Sequence, residues 1–438
     1  MKKSVIALIL LAVLVIIVSP GIIGKLAEDS LDENLNWAAQ ESGELIVTSE
    51  GFDRGWFSSE GQHRIALGNG SIRAAISAAA GGGNGDEIPA LLINTHIDHG
   101  LIPVSSLGRE EGSLAPGLGR AVSTLAVDFG GGETKALPGS IYSELGLGGK
   151  LDSKYVLEAG ELTVEDGTIS WQPTTINIAS SAKTGNVKFD GNIGAMTFGN
   201  DQQTVSIDGL TIVGQQTPTP FGFNIGDVDM TMGAMTVSAG GVAAGGMQGL
   251  HVTASSSVDD ALVALAMRLE MSGQVPGFGD VSYIADMGFS NIDAAALGAV
   301  SQRLDELAGT PDPNQLLMAA ENEFKDLFAA GLNVDVNQFD VALPMGTVEM
   351  KMTVEVPESD RATLEWPSLW LGTVASADIR VPEALVQFAT SMNPQAGAII
   401  GMGYLKKEGD TYVMAADYKK GLLTINGAPV PIPMGAFQ

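Results

Sequence analysis

The sequence predicts an α+β, β-dominated fold: long twisted antiparallel sheet with a few packing helices, preceded by one N-terminal transmembrane helix. Three observations carry this expectation. Short β-like segments recur from Ala90 to about Met287, separated by Gly, Asp and Asn. Helical periodicity is concentrated after residue 290, where apolar residues return every three or four positions. The chain opens with Lys2 and Lys3 followed by an apolar run.

That opening run defines the first element. From Ser4 to Ile23 a helix rising about 1.5 Å per residue reaches roughly 30 Å, the depth of a hydrocarbon core. A cleaved secretory signal is the alternative, since a charged start and a short apolar core suit it equally. No A-x-A pattern follows the run, Pro20, Ile22 and Ile23 stand where small residues are wanted, and there is no cysteine to lipidate. These features favour an uncleaved anchor with its lysines on the cytoplasmic side and the bulk of the chain exported. No other stretch approaches 18 apolar residues, so a single pass is expected.

Residues 25–42 place Leu26, Leu31, Leu35 and Ala38 at near-helical spacing and read as a helical stem ended by Gly43. Residues 44–50 form a strand, 51–60 an aromatic-rich turn, and a second strand near His63 to Leu67 completes a hairpin. The Gly-rich stretch 68–85 is a loop. Strands are then expected at 124–129, 154–164, 168–179, 186–189, 204–212, 227–237 and 250–254. Two pieces resemble each other, Ile193-Gly194-Ala195-Met196-Thr197-Phe198 and Met232-Gly233-Ala234-Met235-Thr236-Val237, which suggests a repeated strand-turn-strand unit. Helices are expected at 294–307, at 312–330 with Asp312 as cap and Gly331 as stop, and at 382–392. Alternation of Val348, Met350, Met352, Val354 and Val356 with polar residues marks a strand buried on one face, and 411–427 reads as a terminal hairpin. The organisation expected is an anchor over 1–24, a stem over 25–42, a β-rich body over 43–290, and an α+β region over 291–438 that continues the sheet.

Composition narrows the function. The chain has 438 residues with 23 Lys plus Arg against 51 Asp plus Glu, a formal net charge of −28 that repels phosphate backbones and anionic membrane surfaces, so no nucleic-acid partner is expected. The absence of cysteine excludes disulfides, thiolate metal sites and Cys nucleophiles.

Candidate chemistry is sparse. His96, Asp98 and His99 are suitable metal ligand types, with His63 or His251 as a possible third, yet strand geometry sends His96 and Asp98 to one side and His99 to the other. Ser180-Ser181-Ala182-Lys183 overlaps Lys183-Thr184-Gly185, and two motifs that share a lysine cannot converge as separate elements of a penicillin-recognising site. Residues 146–150 lack the spacing of a phosphate loop, and the Asp-Gly pairs lack an EF-hand frame and read as turns. No catalytic residue, cofactor or metal ligand is therefore assigned. Asp53, Arg54, Trp56 and Phe57 remain as a candidate interaction surface or structural corner, because Arg and Trp are enriched in recognition patches and also pack together at turns.

At both ends the sequence carries recognisable blocks: Gly51-Phe52-Asp53-Arg54-Gly55-Trp56-Phe57-Ser58-Ser59, and Tyr412-Val413 with Gly421-Leu422-Leu423-Thr424-Ile425-Asn426-Gly427. With the anchor and stem, these resemble the YdgA-like family of bacterial inner-membrane proteins of unknown function. The resemblance implies a single-pass inner-membrane protein with a cytoplasmic N-terminus and a large periplasmic body, and it carries no catalytic residues. The function expected is non-enzymatic: binding of a lipid or other apolar ligand in a β-sheet groove. An envelope assembly scaffold and a hydrolase with an unrecognised site are the alternatives.

Overall fold

The computed structural model describes residues 45–54, 58–68, 90–99, 117–129, 134–146, 148–164, 167–200, 202–275, 278–306, 318–393 and 396–431. The expected anchor and stem, Trp56, Phe57, the Gly81–Gly85 stretch and the Asp312 cap lie outside them. Among the described residues no helix is long and apolar enough to cross a membrane. The fold is β-dominated with a few helices, and every strand pair given below is antiparallel. The chain divides into two units, one comprising residues up to Pro218 together with Met232–Ala244, the other Thr219–Thr231 together with the chain from Gly245 onward.

In the N-terminal unit, β1 (Leu45–Arg54), β2 (Ser58–Leu67), β3 (Ala90–His99), β4 (Gly117–Asp128), β5 (Thr134–Gly146) and β6 (Lys150–Leu157) follow one another as a meander. The chain then alternates between two layers. Strands β7 (Gly160–Val164) and β8 (Gly167–Trp171) start a separate ribbon, while β9 (Thr174–Ser181) and β10 (Val187–Ile193) return to the sheet beside β6. Next, β11 (Met196–Gly199) and β12 (Gln203–Ile207) extend the ribbon from β8, and β13 (Leu210–Pro218) extends the sheet from β10. Strand β14 (Asn224–Met232) ends where the chain re-enters this unit, and β15 (Met235–Ala239) closes the ribbon against β12.

Two-residue links make each crossing between layers. They explain a correction: 154–164, 168–179, 204–212 and 227–237 were each expected to be one strand, and each is two. Pro173 has no N–H to give a ladder, so the Gln172-Pro173 step ends β8 and turns the chain. The two similar sequence pieces occupy equivalent corners, Gly194-Ala195 after β10 and Gly233-Ala234 after β14. In the first the Gln172 amide donates to the Ala195 carbonyl at 2.8 Å, and in the second the Asp208 amide donates to the Ala234 carbonyl at 2.8 Å. Glycine is required by this crowding: a Cβ on Gly194 would stand 2.5 Å from the Pro173 carbonyl oxygen, and one on Gly233 would stand 2.8 Å from the Asp208 Cβ.

The core of the unit lies between sheet and ribbon. Alternation in β9 buries Thr174, Ile176, Ile178 and Ser180. These isoleucines pack with Ile65, Leu151 and Ile193 of the sheet and with Leu162, Ile169, Trp171 and Met196 of the ribbon. Trp171 keeps its indole N–H satisfied by donating to the Glu158 carbonyl at 2.7 Å. Hydroxyl pairs Thr95–Ser123 at 2.8 Å and Ser143–Ser153 at 2.9 Å bridge adjacent strands within the sheet.

In the C-terminal unit β14 pairs with β16 (Val242–Asp259). A meander then runs through β17 (Leu262–Val275), β18 (Gly279–Asp293), β19 (Leu332–Leu343), β20 (Gly346–Val356) and β21 (Val374–Pro382). Strand β23 (Thr411–Lys419) pairs with β21, with the short β22 (Lys406–Glu408) and with β24 (Leu422–Ile425), which in turn pairs with β25 (Ala428–Val430). The domain limit at residue 290 read from the sequence falls inside β18, because the sheet of this unit begins well before its helices.

Helix α1 (Ala294–Glu306) starts where Asp293 accepts the Ala296 amide at 2.8 Å. Helix α2 (Glu321–Ala329) ends as the sequence suggests, with Gly331 at φ +83° just beyond its cap residue Ala330. Helices α3 (Trp366–Gly372), α4 (Glu383–Met392) and α5 (Ala396–Gly401) complete the unit. Ala294, Ala329, Leu364 and Leu369 from the helical segments pack with Val263, Ile292, Leu332 and Val356 at one end of the sheet.

Candidate functional site

Period-2 alternation and antiparallel register together give the C-terminal sheet one continuous apolar face. Met267, Leu269 and Met271 of β17 stand opposite Met287, Ala285 and Tyr283 of β18. Those three pair in turn with Val336, Phe339 and Val341 of β19, and these with Met352, Met350 and Val348 of β20. Met350 then pairs with Ile379 of β21, and Ile379 with Met414 of β23. From β17 to β23 this face is about 24 Å wide at about 4.8 Å per strand. A bulge keeps it continuous: Asn337 is the extra residue between Val336 and Phe339, so both of those side chains stay on the apolar side.

Coverage of the face is uneven. The helices bury the end holding Val263, Ile292 and Leu332, whereas Met267, Met271 and Val275 are 38%, 42% and 48% exposed. Tyr283 and Phe339 meet edge to face with ring centroids 5.2 Å apart. Unbranched thioethers among aromatic and β-branched neighbours make a surface that adapts to an apolar guest of variable shape.

The opposite face of the same strands is polar. Arg268 donates to Glu270 at 2.7 Å and to Asp286 at 3.1 Å, and Asn337 donates to Asp286 at 3.0 Å. The Asn337 hydrogen bond, with Arg268 beside it, holds the Asp286 carboxyl below the usual carboxylate range. Arg268 is raised in turn, first by its hydrogen bond to Glu270.

Among the described residues of the N-terminal unit, two hollows are edged by charged side chains over a partly apolar floor. One of about 570 Å³ is lined by Arg120, Tyr142, Glu144, Lys154, Asn177 and Asp190 among others, and the Arg120–Glu144 pair at 2.8 Å crosses it. Another, of about 680 Å³, is bordered by Phe52, Asp53, Glu60 and His96. His96 lies between Glu60 at 3.3 Å and the buried Asp98 at 3.2 Å. His63 is 1% exposed and, three residues from Glu60 on the same strand, faces the other side of the sheet. His251 belongs to the other unit, where it pairs with Asp229 at 3.1 Å. Among the described residues no group of three or more His, Asp or Glu side chains is placed to hold a metal ion.

Asp53 and Arg54 correct the turn expected over 51–60. Both are strand residues, Asp53 opposite Glu60 and Arg54 opposite Ser59, because a register shift between Ser49 and Gly51 lets β1 run on past the glycine. Trp56 and Phe57 lie outside the described residues, so only half of the proposed patch is placed, with Asp53 beside the His96 hollow. The Ser180–Gly185 stretch forms the turn between β9 and β10, where the Gly185 amide donates to the Ser181 carbonyl at 2.7 Å.

The apolar face itself was only partly legible. Alternation in β20 is plain, and the same signal in β17 and β18, Met267, Leu269, Met271 and Tyr283, Ala285, Met287, was available and could have located the site. The chain matches the model of a family described as a bacterial protein of unknown function, DUF945, over residues 1–433. No curated protein and no solved structure matches.

Proposed function

The chain belongs to the DUF945 family of bacterial proteins, and on that premise we propose that it binds the acyl part of a lipid along the apolar face of its C-terminal sheet, without catalysis. The single observation behind this reading is the face itself: Met267, Met271, Met287, Met350, Met352 and Met414 in one cross-strand array, part of it exposed. Exposed apolar area of this extent in a folded protein marks a binding surface more often than an accident of packing. The reading also includes tethering to the inner membrane through residues 4–23 and a periplasmic body of YdgA-like type, supported by Lys2, Lys3 and the apolar run behind them. An anchored protein of this kind has lipid as its nearest apolar ligand.

Native mass spectrometry of the full chain in mild detergent, followed by lipid extraction, tests it. A bound lipid is expected, lost when Met271→Glu and Met350→Glu place charges in the face. Wild-type protein that carries no lipid and leaves a fluorescent fatty acid unbound overturns the reading.

A further inference from the structure

A second exposed apolar cluster lies apart from the sheet face, where α3 meets the β23–β24 turn. Trp370 and Leu371 at the end of α3 are 42% and 56% exposed, Val374 at the start of β21 is 38% exposed, and Leu422 at the start of β24 is 54% exposed. They are held together. The Tyr418 hydroxyl donates to the Trp370 carbonyl at 2.8 Å, and a Cβ on Gly421 would stand 2.7 Å from Leu371 Cδ2, so Leu371 lies against the turn. Lys419 pairs with Leu422 on one side and with Val374 on the other, which places its stem between these two apolar tips on the face opposite Tyr418, so the corner wraps the end of the sheet.

The turn itself is Lys420-Gly421, with φ of 53° and 75°, the geometry of a tight primed hairpin turn. It therefore presents two consecutive exposed lysines beside a tryptophan and two leucines. Two acidic groups share the face of Lys419: Glu355, opposite Val374 on the next strand, and Asp417, two residues back on the same strand. Against a net charge of −28, which repels anionic surfaces, the Lys419-Lys420 pair is a local basic exception; a second exposed pair, Lys406-Lys407, lies on β22, which pairs with β23, and what sets the first apart is its frame of exposed Trp and Leu. Trp settles at the level of lipid headgroups, leucine tips enter the acyl boundary, and lysines reach the phosphates.

We propose that this corner docks the C-terminal unit on an anionic bilayer surface, with Trp370, Leu371 and Leu422 entering the headgroup boundary and Lys419 and Lys420 contacting lipid phosphates. The inference does not depend on acyl binding by the sheet face, which lies on other residues.

The chain has no cysteine, so a single introduced thiol reports one position. Full-length Leu371→Cys, and separately Leu422→Cys, would carry an environment-sensitive fluorophore in vesicles of phosphatidylethanolamine and phosphatidylglycerol. The same label at Val213→Cys, an exposed apolar position of the N-terminal unit, is the reference. Labels at 371 and 422 should shift to the blue and be quenched by brominated acyl chains, while the label at 213 should not. Lys419→Gln or Lys420→Gln should lower the partition constant for docking about five-fold each, since one lysine near an anionic surface is worth about 1 kcal/mol. Phosphatidylcholine vesicles should abolish the shift. Equal accessibility of all three labels in anionic vesicles overturns the proposal, as does burial at 371 that grows with protein concentration in the absence of lipid, which would assign the corner to a second copy.

Discussion

Ala195 and Ala234 play the same part in two successive corners of the N-terminal unit: the carbonyl of each accepts, at 2.8 Å, the amide of the residue that leaves the ribbon, Gln172 in one case and Asp208 in the other. The glycine preceding each alanine is what lets the two backbones approach. Gly194→Ala should destabilise the protein by about 1–3 kcal/mol, because the new methyl meets backbone that cannot move aside. Gly233→Ala, which meets a side-chain carbon of Asp208, should cost less. Denaturant unfolding of the two variants side by side checks the order, and equal stabilities would refute it.

Among the described residues the buried Tyr155 hydroxyl has no hydrogen-bond partner, and burial pushes its ionisation well above the usual tyrosine value of 10.0. Tyr155→Phe should therefore be neutral or stabilising by about 1 kcal/mol, since the lost oxygen was desolvated without compensation. The raised value favours the protonated folded state, so its contribution is complete below pH 10.0 and declines as the pH rises beyond it. Wild type should lose stability in that alkaline range more steeply than Tyr155→Phe.

On the acid side the carboxylates act in the opposite sense. Glu383 is lowered from 4.5 chiefly by its hydrogen bond to Lys407, and Asp286 from 3.8 by Asn337 and Arg268. Lowered values stabilise the fold above the ordinary carboxylate range, and that contribution fades as the pH falls through it. Glu383→Gln and Asp286→Asn should each flatten the acid limb of a stability-against-pH curve and leave the curve above pH 7 parallel to wild type.

Asn426 binds three backbone groups with one side chain. Its amide donates to the carbonyls of Gly403 and Tyr404, both at 3.1 Å, and its oxygen accepts the Ala415 amide at 3.0 Å. Its own φ of 51° suits asparagine better than other side chains. Asn426→Ala should cost about 2–3 kcal/mol, read as a drop in the unfolding midpoint. A change below about 0.5 kcal/mol would mean that water replaces these bonds.

Tyr283 and Phe339 offer a measure of order within the apolar face. A double-mutant cycle with Tyr283→Leu and Phe339→Leu should return a coupling of about 0.5–1.5 kcal/mol from their edge-to-face contact. Lipid bound over the face should alter that coupling, whereas an empty face leaves it unchanged by lipid.

How much of this was visible beforehand depended on whether the signal was local. The helix at 294–307, the strand holding Val348 to Val356 and the hairpin at 411–427 were read correctly because periodicity, a cap or a turn dipeptide lies within each segment. Links such as Asp208-Gly209 were missed because a two-residue corner interrupts alternation too briefly to register, and what makes it a corner is the Ala234 carbonyl on a later segment. The apolar face escaped notice for a related reason. Met267, Met287, Val336 and Met352 are far apart in sequence, and only strand register sets them in one row. Asp53 and Arg54 were singled out correctly as a pair but assigned to a turn, since a bulge near Gly51 carries no sequence mark beyond the glycine.

The alternation between sheet and ribbon also governs the order of assembly. Each pair of ribbon strands, β7–β8 and β11–β12, is flanked in sequence by sheet strands a few residues away, so most contacts of β6 to β13 close short loops and can form while later chain is still absent. The exception is β15, which returns after an excursion into the other unit to complete the ribbon edge. The N-terminal unit can thus zip up progressively and yet be locked only when that last strand arrives, which makes β15 its latch and amide exchange along β12 the gauge of whether the latch is shut.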